Sequence, residues 1–338
     1  MWPIEGFLIE SVEGVIFDVK GLIHPPGKVV AFPRFIPDKK GSRIRSGTKY
    51  SKVYGISERF NFLEKNFPEY VVYDRVFDEK LCEVPLDRIR KVSNPIIFLE
   101  RLRKSRNLDE LEKAALQCVE LLKEEASVPW NKLGISGSVL AGLHTASSDI
   151  DPVVYGVENC WKVHRALRRL LEMEDTPFKP YGLEGLRRLF DFRSKDTLVS
   201  FEDFVKTESR KVLQGKFMGR DYFIRFVKDF GEMTEKYGDV HYKNCGYGRV
   251  EAVVVDDSEA IFTPCTYKVE DVKVVEGPKL QPIREIASFR GRFCEQARSG
   301  ETVLAQGKIE KVVDRRNGSE YFRLLIGNKP LDYMILKS

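Results

Sequence analysis

Two aspartates one residue apart, Asp149 and Asp151, close the stretch ISGSVLAGLHTASSDIDPVVYG. On a strand, side chains at i and i+2 point to the same face. Carboxylates held that close repel each other unless a cation sits between them. Hard oxygen ligands of this kind suit Mg²⁺ or Mn²⁺, usually completed by substrate phosphates. At the start of the stretch, Gly137 permits close approach of backbone to a ligand. Ser138 is placed to cap a following helix, whose N-terminus attracts anions. The spacing therefore predicts a phosphate cradle and a metal site separated by one short helix. Two-metal chemistry also requires a third acid further along the chain.

The order Gly137-Ser138, ten residues, Asp149-Ile150-Asp151 resembles the nucleotidyltransferase superfamily typified by DNA polymerase beta. Gly142 in the helix and Ser148 before the first acid match the same pattern. The resemblance spans roughly residues 107 to 230 and is most specific over 134 to 156. As a whole, the chain is also similar to a group of uncharacterised archaeal proteins expected to be nucleotidyltransferases. The resemblance implies that Asp149 and Asp151 bind catalytic Mg²⁺ or Mn²⁺ and that Gly137, Ser138 and Ser148 contact the nucleotide. The implied reaction is attack of a hydroxyl on a nucleoside triphosphate, with release of pyrophosphate. The family places its third acid inside a later strand. Here that strand, DYFIRFV, carries Asp221 at its start and Arg225 at its middle, so Asp221 is the candidate third catalytic acid. Arg225 is expected on the same face, beside the pair and able to grip a phosphate. Two positions depart from the family pattern. Ala141 stands where an arginine is common, and Pro152 follows the second acid, which predicts an edge or bent strand. The alternative is a degenerate nucleotidyltransferase domain that binds nucleic acid or senses a nucleotide without catalysis.

The elements that must position these residues read as α+β in several domains. Residues 1–93 are β-rich, with GVIFDVKG and KVVAFPRF as strands around a Pro25-Pro26-Gly27 turn. A basic loop, DKKGSRIRSGTKYSKVYG, follows with Tyr50 and Tyr54 interleaved, and reads as a solvated loop or a phosphate-backbone contact. Residues 94–232 alternate helix and strand as a nucleotidyltransferase-like domain. NLDELEKAALQCVELLKEEA is its clearest helix, with Asn107 and Glu110 as a capping box. NKLGIS and IDPVVYG read as strands flanking a helix SVLAGLHTA that carries His144. Residues 233–338 return to strands, including a hairpin turned at Asn317-Gly318. They predict a small barrel, for which an OB-like one is the candidate.

The 338 residues are 42% apolar and 32% charged with net charge +5, the balance of a soluble globular protein. The apolar runs are too short and too often broken by charge for a membrane span. The N-terminus lacks the pattern of a secretory signal. Six scattered cysteines without a CxxC pair argue for a reducing cytoplasm and against a zinc ribbon. Abundant Lys, Arg and Glu with few Gln suggest a thermophile. From Arg284 to Ser338 there are eleven basic and seven acidic residues, which fits RNA or another nucleic acid as acceptor. No P-loop and no serine or cysteine hydrolase signature is present. The nucleotide, the acceptor and the oligomeric state are not fixed by the sequence.

Overall fold

A computed structural model describes residues 2–337. The chain has mixed α/β content, with several sheets and a barrel. It divides into two compact units, each built from separated segments. The first comprises residues up to Val72, Leu81–Pro180 and Val212–Thr234; the second comprises Tyr73–Lys80, Tyr181–Lys211 and the chain from Glu235 onward.

In the first unit the N-terminal strands and the motif region share one core. Phe7, Ile9, Phe17 and Val29 from the N-terminal strands pack with Val153, Tyr155 and Val227. The expected boundary at residue 93 is therefore not a boundary between compact units. Strand Ile89–Ser93 pairs with strand Leu8–Ser11, and Asn94 immediately caps helix Pro95–Lys104 through its side chain. No linker intervenes, and apolar burial continues across the junction. The expected boundary at 232 lies close to the observed change at Thr234.

The motif strand Pro152–Tyr155 lies between Leu133–Ile135, antiparallel, and Arg225–Val227, parallel. It is thus a central strand, which overturns the edge-strand alternative drawn from Pro152. Proline is the strand's first residue, and the parallel pairing made at Ile150–Tyr222 is interrupted there and resumes at Val153–Arg225. DYFIRFV is not one strand. Arg220–Phe223 pairs with Gln214–Phe217, whereas Arg225–Val227 joins the motif strand. Ile224 between them donates its N–H to Leu213 O at 2.8 Å. Helix Glu110–Ala126 forms as expected, but its capping box is Asp109 with Glu112, not Asn107 with Glu110.

The second unit contains a ring of five strands: Val240–Asp256, Cys265–Glu276, Ile283–Ser288, Thr302–Asp314 and Ser319–Leu325. The first pairs with the second and the second with the third. The third runs parallel to the fifth, the fifth pairs with the fourth, and the fourth returns to the first. Gly318 turns the predicted hairpin at φ +74°. Residues from outside 233–338 complete this unit. Phe77 stacks on Tyr242, Tyr242 N–H donates to Val76 O, and Lys308 pairs with Glu79 at 2.5 Å. Helices Leu183–Arg193 and Phe201–Glu208 also belong to it, joined by the Arg193–Glu208 ion pair. Buried Lys211 donates to Arg292 O and to Gln296.

Candidate metal and nucleotide site

The short helix after strand Leu133–Ile135 is Gly137–Ala141. Its N-cap is Ser136, not Ser138, and makes no side-chain cap. The Ser136 hydroxyl instead donates to Gly6 O at 2.6 Å, tying the motif to the N-terminal segment. Gly142 ends the helix at φ +65°, so His144 lies beyond it. The Ser138 hydroxyl is buried and has no hydrogen-bond partner among the described residues. A buried hydroxyl left unpaired is costly, which makes this group receptive to a ligand. The Ser148 hydroxyl is engaged in its own turn, accepting from Thr145 N–H at 2.9 Å.

Gly137 sits at φ +62°, and a Cβ there would overlap the carboxylate of Asp151. Glycine is needed twice over, for the left-handed backbone and for the close approach. Gly137→Ala is expected to cost at least the roughly 1–2 kcal/mol of left-handed strain and to displace the Asp151 carboxylate. Chemical denaturation checks the first effect. Mn²⁺ titration checks the second: wild-type affinity in the variant would show that the approach of Gly137 to Asp151 does not matter for metal.

Asp149 and Asp151 lie just before the motif strand, joined to Arg220–Phe223 by a parallel bridge of Ile150 with Tyr222. Neither carboxylate forms a hydrogen bond or ion pair with another described residue. Burial and then the charge of Asp149 push the Asp151 carboxyl up to about 7, against the opposing charges of Lys52, Arg225 and Arg34. Two unpartnered, mutually repelling carboxylates are a donor set that one hard divalent cation fits.

The register that pairs Ile150 with Tyr222 and Val153 with Arg225 sets Asp221 across from Asp149. The Asp221 carboxylate is nonetheless exposed and paired with Lys216 at 2.7 Å. It does not complete a trio with Asp149 and Asp151. Among the described residues, the one trio close enough to share an ion is Asp109, Glu112 and His144. There Asp109 accepts from Leu111 and Glu112 N–H and Glu112 accepts from Asp109 N–H, so both carboxylates are used in capping the helix.

Arg225 lies near Asp151, as its position on the strand predicted, but it does not pair with Asp149 and Asp151. Its guanidinium donates to Glu5 at 2.8 Å and lies 3.4 Å from Asp18. Glu5 is fully buried and also accepts from Gly21 N–H and Lys20. Burial opposes the charge on Arg225, but Asp18, Glu5 and Asp151 outweigh it and raise its pKa. Burial likewise works to raise Asp18, yet Lys20, Arg225 and Arg34 hold its carboxyl well below the usual range.

The sequence reading missed Glu5, Asp18 and Lys20. Asp18 and Lys20 bracket the end of a predicted strand, GVIFDVKG, and a charge inside an apolar run was the available signal. The basic segment expected as a loop forms paired strands, Arg43–Arg45 and Thr48–Lys52, and also reaches this region. Arg43 donates to Leu143 O, and Arg45 donates to Ala141 O at 3.2 Å and pairs with Glu10 at 2.8 Å.

Two open carboxylates, an orphan serine hydroxyl and the close approach of Gly137 to Asp151 thus belong to one motif. The chain belongs to the family of "Uncharacterized protein MJ1086" from the archaeon Methanocaldococcus jannaschii. The two are 32% identical over 327 residues, which cover 94% of each chain. No family model matches the chain, and no solved structure matches it. No helix among the described residues is long and apolar enough to cross a membrane.

Proposed function

We propose that the protein is a metal-dependent nucleotidyltransferase. On this reading it transfers a nucleotidyl group from a nucleoside triphosphate to a hydroxyl on RNA or another nucleic acid, in the manner of the DNA polymerase beta-like superfamily. The observation that carries the reading is the pair of unpartnered carboxylates, Asp149 and Asp151, the second of them packed against Gly137. The orphan Ser138 hydroxyl in the same motif supports it. Asp149 and Asp151 would hold Mg²⁺ or Mn²⁺, which when bound supplies positive charge to a phosphate. Ser138 offers a donor to a phosphate oxygen once a ligand gives its hydroxyl a partner.

The ring of five strands supports a nucleic-acid acceptor. Its pairing order, with parallel third and fifth strands, is that of an OB-like barrel, an architecture that often binds oligonucleotides. Exposed Arg284 lies on it near Tyr321, and exposed Arg315 lies in its last hairpin turn.

A second reading, nucleotide binding without transfer, is favoured by one observation. Asp221, the candidate third acid, is held by Lys216. Incubating the full chain with each labelled ribonucleoside triphosphate, total RNA and Mn²⁺ separates the two. Label covalently attached to RNA and lost in Asp149→Asn supports transfer; retained nucleotide without attachment supports the second reading. Neither outcome, with no nucleotide bound, removes both. Filter binding of RNA to the full chain tests the barrel. Affinity should fall steeply with salt because phosphate contacts release counterions. Arg284→Glu with Arg315→Glu should flatten that slope; an unchanged slope would take the acceptor off this face.

A further inference from the structure

Four cations act on Asp18 and Asp151, and two of them stand apart. Arg225 and Lys20 are fully committed to Glu5 and Asp18. Arg34 and Lys52 have no carboxylate within ion-pair distance among the described residues. What each does touch is the ring of Tyr54, 5.0 Å from the Arg34 guanidinium and 4.8 Å from the Lys52 ammonium. Both cations are half-buried, and Tyr54 is 41% exposed. Their placement is fixed by backbone. Arg34 lies on strand Lys28–Pro37 and Lys52 ends strand Thr48–Lys52, with Phe35 across from Lys52 and Val53 N–H donating to Arg34 O at 3.0 Å.

Phe35, next to Arg34 and across from Lys52, packs in one core cluster with Leu140 and Ala141 of the motif helix, and the strand that carries Arg34 pairs with the strand that carries Asp18. Both cations therefore stand near the motif, and neither is paired with its open carboxylates. A long cationic side chain with no salt partner is costly to order near the protein surface. Cation–π contact with one tyrosine restrains both chains while leaving their N–H donors free. A ligand that bridges this arrangement must bring metal-binding oxygens to Asp149 and Asp151 and further negative charge to Arg34 and Lys52. A polyphosphate chain has both features. An isolated phosphate offers one charged centre only.

We propose that Arg34 and Lys52 bind the terminal phosphates of a nucleoside triphosphate whose inner phosphate lies at Asp149 and Asp151, with Tyr54 as the positioning residue. The proposal rests on the nucleotide reading above. It assigns part of the substrate site to the N-terminal sheet, outside the Gly-Ser and Asp-x-Asp motif. It also gives a reason for that sheet to share a core with the motif strand, since fixed phosphate donors need a rigid support.

Equilibrium binding of ATP, GTP, AMP and GMP to the full chain with Mn²⁺ tests it. The wild type is expected to favour triphosphates over monophosphates. Arg34→Ala with Lys52→Ala should weaken triphosphate binding at least tenfold, while Mn²⁺ binding and monophosphate binding are not weakened. Tyr54→Ala should weaken it less, and Arg34→Lys with Lys52→Arg should restore most of it. Should the double variant unfold, Arg34→Gln and Lys52→Gln are read singly, each checked by its melting curve. A folded variant that keeps the wild-type preference for triphosphate overturns the proposal and leaves the nucleotide reading standing. Wild-type protein that binds no nucleotide, or binds it equally after Asp149→Asn with Asp151→Asn, overturns both.

Discussion

Arg225→Asp is expected to lose about 3–5 kcal/mol of stability, the range for removing one partner from a buried ion pair. The superfamily that the motif resembles carries an acid in the matching strand, so from sequence alone either a gain or a loss of nucleotide transfer was open for this change. The structure shows what the arginine holds together. Arg225 is the cation shared by Glu5 and Asp18, and Glu5 is fully buried. Its loss leaves Lys20 as the remaining ion-pair partner of both carboxylates, and aspartate adds another negative charge beside them and Asp151. Arg225→Lys keeps the charge but loses the planar guanidinium, whose Nη1 reaches both Glu5 and Asp18, so it should be intermediate. Urea denaturation measures both. Arg165→Ala, on an exposed helix face, is the control and should stay within about 0.5 kcal/mol of wild type. Wild-type stability in Arg225→Asp would mean that Glu5 and Asp18 do not depend on this arginine.

Asp149→Asn with Asp151→Asn is expected to abolish Mn²⁺ binding and, without metal, to make the protein more stable at pH 8. The second effect follows from the direction of the Asp151 shift. Its carboxyl titrates near its ordinary value of 3.8 when unfolded and at about 7 when folded, raised by burial and by Asp149. Below about pH 4 it is protonated in both states and costs nothing. As pH rises from about 4 to about 7, the unfolded chain ionises first, so folded stability falls by an amount that levels off above pH 7. One pKa unit corresponds to about 1.4 kcal/mol, so roughly 4 kcal/mol is the ceiling for this group. Asparagine removes the cost, and the variant's melting temperature should exceed wild type at pH 8 and match it near pH 4. Added Mn²⁺ should abolish the wild-type deficit at pH 8, and binding near pH 6 should release a proton. Equal melting temperatures at pH 8 without metal would show that the two carboxylates do not repel as their arrangement implies.

Local chemistry made much of this legible. Gly137, Ser138, Asp149 and Asp151 were marked by type and spacing, and the structure brings Gly137 against Asp151. The hairpin at Asn317-Gly318 and the helix 110–126 follow from turn chemistry and period. Other features escaped because they depend on partners distant in sequence. Asp221 was chosen by its place in an apparent strand, but the chain changes sheets at Ile224, and Lys216 on the neighbouring strand takes the carboxylate. Ser148 matched a pattern, yet its hydroxyl closes a turn.

What the sequence by itself determined is the motif and the periodicity around it, because both are set by residues within a few positions of each other. Which charges surround the motif was decided only by tertiary structure. Glu5, Asp18, Lys20, Arg34 and Lys52 lie about a hundred residues or more before it in the chain. They reach it because Phe7, Ile9 and Phe17 bury their apolar surface against Val153 and Tyr155. Hydrophobic burial carries no information about which polar neighbours it will bring together, so the partners of Arg225 and the openness of Arg34 and Lys52 are properties of the folded chain.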